Sequence, residues 1–295
     1  MRLKKNITLF LVVAFIGMGT FLVQQCKPKE STAPPADRGA NAFVGDGQCK
    51  SCHAPEYKAW SGSGHFKAMR EANDSTVEGD FSGKTLVEDG VSSRFFKKDG
   101  KYFINTQGPD GKNQDFQIKY TFGYYPLQQY LVEFSGGRMQ ATRASWDVKN
   151  KKWFHQYMGQ HIPPHDWLHW TGNAQNWNTM CARCHSTNLQ KNYNTEADNY
   201  HTEFSVINVS CETCHGPGKW HIDYIGSDDY KKGNKTAGSL LDLGKKPGQL
   251  AELNSCTPCH ARVTEISPHL IHSTELLDNY IPEIPTTEHY YADGQ

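Results

Sequence analysis

Hydrophobic and polar positions divide the chain into three kinds of stretch. Ile7 to Val23 is an uncharged, mostly apolar run behind the basic tetrapeptide RLKK at residues 2–5, the layout of an export signal. From Ser82 to Tyr157 apolar and polar residues alternate, in KTLVEDG, VSSRFFKKDG, KYFINT, FQIKYTFG, LQQYLVEF, RMQATRASWDV and KWFHQY, with DG, PDG and SGG between them. Period-two alternation turns successive side chains to opposite faces, and those short breaks supply tight turns. A meander of antiparallel hairpins is therefore predicted over about 82–157. The rest reads as helix and loop. PEYKAWSGSGHFKAMREAN, residues 55–73, predicts a helix interrupted near Gly62 and Gly64. The expected fold class is α+β, low in regular structure outside an inserted antiparallel β-hairpin sheet.

The cysteines change this picture most. All nine except Cys26 fall into one repeated pattern, C-x-x-C-H, at Cys49/Cys52/His53, Cys181/Cys184/His185, Cys211/Cys214/His215 and Cys256/Cys259/His260. At this composition one such pentapeptide arises by chance in about one chain per hundred of this length, so four together are a design. Two thiols three residues apart can each form a thioether to one vinyl of the same haem, and the adjacent histidine then lies under the iron. Zinc ribbons use paired cysteines too, but tetrahedral zinc does not require a histidine after every second one. A thioredoxin-like motif is a single pair beside a βαβ pattern, which this chain lacks. Structural disulfides would leave the histidines unexplained. Four covalently bound c-type haems are the expectation.

Spacing then sets the organisation. The first motif stands alone, 128 residues separate Cys52 from Cys181, and the last three follow at intervals of 26 and 41 residues. The hairpin sheet falls in the long interval, as a scaffold expected to cover a haem edge. DWLHWTGNAQNWNTM leads into the second motif, and Trp167, Trp170 and Trp177 are expected to pack against haem. The domain reading is a signal peptide or membrane anchor at 1–25, a flexible linker at 26–44 and a tetrahaem domain at 45–295.

Export agrees with haem attachment, which takes place outside the bacterial cytoplasm. Three fates are open for the leader: an uncleaved anchor, since 17 residues reach the short limit of a membrane span, a lipoprotein acylated on Cys26, or simple cleavage. Val23, Gln24 and Gln25 fit a lipobox poorly, because small residues are expected there. The reading is an exported protein of the periplasm or cell envelope, membrane-tethered through its N-terminus. Hydrophobic residues make up 37% of the chain, lean for this length unless bound macrocycles supply apolar surface. The formal net charge is +0, so the propionates of four haems would make the loaded protein acidic by about eight charges before any pairing. No basic stripe points to nucleic acid.

Four of the 14 histidines belong to the motifs, and the remaining ten favour bis-histidine ligation, which lies toward low potential. His221 follows His215 by six residues, a span of at most about 20 Å. To reach the iron above His215 it would have to round the macrocycle's edge, so a neighbouring haem is the easier target. The same argument applies to His65, twelve residues after His53. His65, His169 and His221 are the candidate distal ligands. For the fourth position His155, His161, His165, His201, His269 and His272 compete.

CKSCHAPEYKAWSGSGHFKAM and VSCETCHGPGKWH resemble the cytochrome c554/c-prime family of multihaem cytochromes. YPLQQYLVEFSGGRMQATRASWD, HDWLHWTGNAQNWNTMCARCHSTNL and the terminal YYADGQ resemble a subgroup whose longer members carry another haem motif and tetratricopeptide repeats. The resemblance runs from Gly45 to Gln295. It implies closely packed, mostly bis-His haems and electron transfer in respiratory or nitrogen-cycle pathways. Redox partner proteins or a quinol-linked membrane donor are the expected partners of such a carrier. Carried over by position, the four C-x-x-C-H sets are the haem-binding residues, and His65 and His221 are the natural distal ligands. The leading function is an electron carrier with no catalytic residue. The alternative is a reductase or oxidase of small nitrogen or sulfur compounds at one five-coordinate haem, with His161, His165 and Arg143 as nominal proton donors. A third class is an assembly module that holds a partner complex through the hairpin sheet.

Overall fold

The structure is a computed structural model. It describes residues 43–235, 248–266, 276–284 and 286. The leader, most of the linker and the competing histidines His269 and His272 lie outside the described residues.

Three short helices open the described chain: α1 (Asp46–Cys49), α2 (Ala54–Ser61) and α3 (Gly64–Lys67). Pro55 sits in the first turn of α2, where its missing N–H costs nothing. The break between α2 and α3 falls at Gly62 and Ser63, and the Ser63 hydroxyl caps α3 by accepting the Phe66 N–H. The helix expected to run on to Asn73 stops earlier. Met69–Glu71 forms strand β1 instead, paired antiparallel with Tyr120–Phe122. Partnering a sheet edge outweighed the helical preference of MRE, because Met69 thereby becomes fully buried.

Eight more strands follow: β2 (Ser82–Glu88), β3 (Val91–Lys98), β4 (Lys101–Gln107), β5 (Asn113–Phe122), β6 (Leu127–Glu133), β7 (Met139–Ala141), β8 (Ala144–Asp147) and β9 (Lys152–His155). They form one antiparallel sheet in the order β2-β3-β4-β5-β6-β8-β9, with β1 on β5 and β7 on β6. Asp89-Gly90 and Asp99-Gly100 close the first two hairpins. All four residues have φ between 51° and 78°, as a two-residue turn matching the strand twist requires. The ends of the sheet approach each other: the His155 N–H in β9 donates to Glu88 of β2 at 2.8 Å, and Trp153 donates to Asp80 O at 3.1 Å. The sheet is thus nearly closed.

Alternation fills its inside. Phe95, Tyr102, Ile104, Phe116, Ile118, Tyr130 and Trp146 form one buried cluster with Phe81 and Trp170. Strand β6 differs, with five consecutive buried residues from Gln128 to Val132. Tyr130 and Val132 face the inner cluster. Leu131 faces a second cluster with Met69, Met139, Ala141, Trp177 and Ala182. The polar Gln128 is tolerated because all its groups are used: it donates to Thr76 O and Gly123 O, and accepts from Glu78 N–H and the Tyr130 hydroxyl.

After the sheet come α4 (Trp177–Met180), α5 (Ala182–His185), the strand pair β10 (Tyr193–Asn194) and β11 (Asn199–Tyr200), then α6 (Cys211–His215), α7 (Lys219–Ile225), α8 (Asp228–Lys231) and α9 (Gln249–His260). A last pair, β12 (Val263–Glu265) and β13 (Tyr280–Pro282), flanks α10 (Leu276–Asn279). Among the described residues no helix is long and apolar enough to cross a membrane.

Leu131 joins the sheet to the segment that carries the second C-x-x-C-H motif, and it is wholly buried. Leu131→Ala should lower stability by about 3 kcal/mol through lost burial and the cavity left behind. Urea unfolding checks this, and a loss under about 1 kcal/mol would mean that the two clusters do not depend on that contact.

Candidate functional site

Each C-x-x-C-H segment lies on a helical turn, which brings both thiols to one side and sets the histidine beneath them. In the first, His53 N–H donates to Cys49 O at 2.9 Å, closing the turn beyond α1. The second is α5, which follows α4. The Asn176 side chain caps α4 by accepting from Thr179 N–H. The third is α6, ended by Gly216 at φ 85°, a left-handed conformation that suits glycine. The fourth closes α9, with Pro258 between its two cysteines.

The four segments meet although they are far apart in sequence. The thiols of Cys49 and Cys211 are hydrogen-bond partners, so the first and third segments are neighbours. Cys184 Sγ lies 3.9 Å from Cys259 O, which makes the second and fourth neighbours. Burial and then Cys256 raise the Cys214 thiol, and Cys214 is among the groups that raise Cys259, after Cys184 and burial, linking the pairs. Polar contacts hold this arrangement together. Trp60 donates to Val209 O at 2.9 Å, and the Thr187 hydroxyl joins Asn208 O at 2.6 Å and the Thr213 hydroxyl at 2.8 Å. Burial pushes the Cys181 thiol up to about 11 and the Cys211 thiol up to about 12, where unreacted thiols stay protonated at neutral pH. All eight motif cysteines are free of disulfides. Among the described residues no group of three or more His, Cys, Asp or Glu side chains converges as a zinc site would need.

Two histidine pairs stand out. The rings of His53 and His221 have centroids 6.2 Å apart, and those of His65 and His260 are 6.0 Å apart. Stacked rings would be closer. Two imidazoles each bonded to one shared metal ion at about 2.0 Å have centroids about 6 Å apart. Each pair joins a motif histidine to one of the sequence-predicted partners, from a different part of the chain. His185 is half-buried, with Nδ1 3.3 Å from Ala68 O, a contact that leaves Nε2 as the metal-binding nitrogen. The ring of Phe122 lies 4.4 Å from it. The residues present therefore fit haem c at the first and fourth segments through paired imidazoles, and at the second through an oriented one.

His169, a distal-ligand candidate from sequence, lies inside the sheet with Arg143, His155 and Trp170, around a cavity of about 10 Å³. That space holds about one water and no macrocycle. Its Nδ1 is engaged by the Thr171 hydroxyl at 2.7 Å. His155 lines the same cavity, and His161, His165 and His201 are exposed. Arg143, a nominal proton donor, is instead tied to Asp89 at 2.7 Å and to the Tyr157 and Gln160 carbonyls. Of the tryptophans expected on haem, Trp170 belongs to the sheet interior against Phe116, and Trp167 is exposed. Trp177 does approach the second motif, within the cluster that includes Cys181. Residue-type reasoning also passed over Glu212, a fully buried carboxylate between the cysteines of the third motif. An acidic residue inside a C-x-x-C beside a Gly-Pro-Gly turn was the signal for it.

Paired cysteines followed by a histidine on one helical turn are the residues with which c-type cytochromes hold haem covalently. The family model for cytochrome c554 and c-prime matches residues 48–89 and 141–216, which contain the first three motifs and His65. Over those residues the chain carries that family's pattern. No curated protein matches it significantly. Among solved structures it is similar to the outer cell wall cytochrome OcwA, with 20% identity and a TM-score of 0.49, over 82% of this chain and 45% of that one. It is also similar to an undecahaem cytochrome from the S-layer of Carboxydothermus ferrireducens, with 17% identity and a TM-score of 0.44, over 78% of this chain and 29% of that one. The chain thus spans less than half the length of either.

The cavity histidines give a pH dependence. Burial, reinforced by the Arg143 charge, lowers His169 to about 4. His155 is lowered by the same two causes, with Glu88 and Asp89 opposing, as Asp166 does for His169. Both rings stay neutral in the fold where unfolded imidazoles already bind protons. Stability should therefore fall as pH drops from about 6.5 toward 4. His169→Gln should flatten that part of the urea-stability profile, whereas an unchanged slope would show that the ring protonates freely in the fold.

Proposed function

We propose that this chain is an exported tetrahaem electron carrier, with one haem c on each C-x-x-C-H segment. It would pass electrons between redox partner proteins, or from a quinol-linked membrane donor, while tethered through its N-terminus. The domain plan is the one expected from sequence: leader at 1–25, linker at 26–44 and haem domain at 45–295. The observation that carries the reading is the pair of imidazole spacings, 6.2 Å for His53 and His221 and 6.0 Å for His65 and His260.

Bound haem supplies reversible one-electron chemistry. The chain's own residues do three things for it. Cys49, Cys52, Cys181, Cys184, Cys211, Cys214, Cys256 and Cys259 would anchor it, and His53, His185, His215 and His260 would hold its iron as the motif histidines. His221 and His65 would supply the second imidazole at the first and fourth sites, each delivered by the segment of a different motif. The cysteine contacts support an order of neighbours first, third, fourth, second, so an electron entering at one end has an adjacent site at every step. The exchanged histidines tie the first and fourth sites to other segments, which would limit reorganisation when the oxidation state changes there.

Intact mass should exceed the mature chain by four haems. His221→Ala and His65→Ala should each convert one haem equivalent from low-spin to high-spin in the electron paramagnetic resonance spectrum, without loss of haem. If neither spectrum changes, the ligand assignment fails. If the reduced wild-type protein binds one full equivalent of carbon monoxide, a reductase or oxidase at an open haem replaces the pure carrier.

A further inference from the structure

Glu212 is a carboxylate buried to within 1% of full enclosure, between the two cysteines of the third motif. Its Oε1 accepts Val44 N–H at 2.9 Å and Gly218 N–H at 2.8 Å. Its Oε2 accepts Gly45 N–H at 2.8 Å. Three backbone donors from two segments, more than 160 residues apart in sequence, thus converge on one side chain. A buried carboxylate is tolerated only when satisfied in this way, and hydrogen bonds to a carboxylate are among the stronger ones.

The two segments it joins are the approaches to the two halves of one histidine pair. Val44 and Gly45 lead directly into α1 and the first motif, which ends in His53. Gly218 caps α7, whose third residue is His221. Space around the carboxylate is tailored to it. Gly45 has φ 80°, and a Cβ on Gly218 would stand 3.1 Å from Val44 Cγ2 and 3.3 Å from Glu212 Oε1. Gly218 of the Gly-Pro-Gly turn therefore lets two backbones close on one acid.

From this geometry we infer that Glu212 is the positioning residue for the first haem, although it belongs to the third motif. It holds the His53 segment and the His221 helix in register, so that their rings face each other across one iron. The inference rests on the ligand reading above. It adds that the ligand pair depends on a group that touches neither ring in that role.

The test uses the full haem-loaded protein with Glu212→Ala, the closer Glu212→Gln, and His221→Ala as reference. With four haems retained by mass, Glu212→Ala should turn one haem equivalent high-spin, at the same site as His221→Ala. The double variant should add nothing further. Millimolar imidazole should restore the low-spin signal in both single variants, and Glu212→Gln, which keeps one acceptor oxygen, should show a smaller high-spin fraction. A wild-type spectrum in Glu212→Ala, with His221→Ala still converting one haem, would overturn the proposal and leave the ligand reading standing. Loss of the haem at Cys211 and Cys214 in both Glu212 variants, with the first haem still low-spin, would also overturn it, by showing that the acid serves attachment. If His221→Ala itself changes nothing, the ligand reading fails, and this inference with it.

Discussion

A helical turn that carries two cysteines and a histidine can offer an iron only one of its two axial positions. The residues that follow run along the same side of the macrocycle, and a short segment cannot round its edge. A second imidazole for the same site would have to arrive from another part of the chain. This reach limit organises the helical half of the molecule: His221, from beyond the third motif, faces His53 of the first, and His65, from beyond the first, faces His260 of the fourth. These contacts tie the first motif to the fourth and to the segment beyond the third.

The sheet supplies what those turns lack. Helices of four or five residues, such as α1, α5 and α6, bury too little to stand alone. Strand β6 is buried on both faces and serves as a wall. Its Tyr130 side completes the aromatic interior, and its Leu131 side carries Met69, Trp177 and Ala182, which seat the second motif. A scaffold held by its own core can fix the motifs before or after they are loaded. The exposed rows of the strands carry lysines and other polar groups, which keeps the edges from pairing with other chains.

The sheet interior also shows how two similar histidines come to different ends. His65 and His169 each sit near aromatic residues in sequence, and nothing in residue type separates them. His65 lies on a short helix at the meeting point of the motifs, whereas His169 was drawn inward with Trp170 to close the sheet. Burial of the neighbouring indole decided its direction. His155, Arg143 and Asp89 then complete a buried polar group that stands apart from the haem segments.

Much of this could be read directly from the residues. The motif positions, the hairpin strands and their DG turns are local in origin: thioether spacing, period-two alternation and left-handed turn preferences each act over a few residues. That His65 and His221 would be directed to motifs other than the ones they follow was also legible, because chain reach is a one-dimensional property. Which segment serves which site was not. The pairing of His53 with His221 and of His65 with His260, the strand at Met69, the inward turn of His169 and the convergence on Glu212 all depend on contacts between residues tens to more than a hundred positions apart. Only the packed chain decides those, since burial and hydrogen-bond satisfaction are properties of the whole fold.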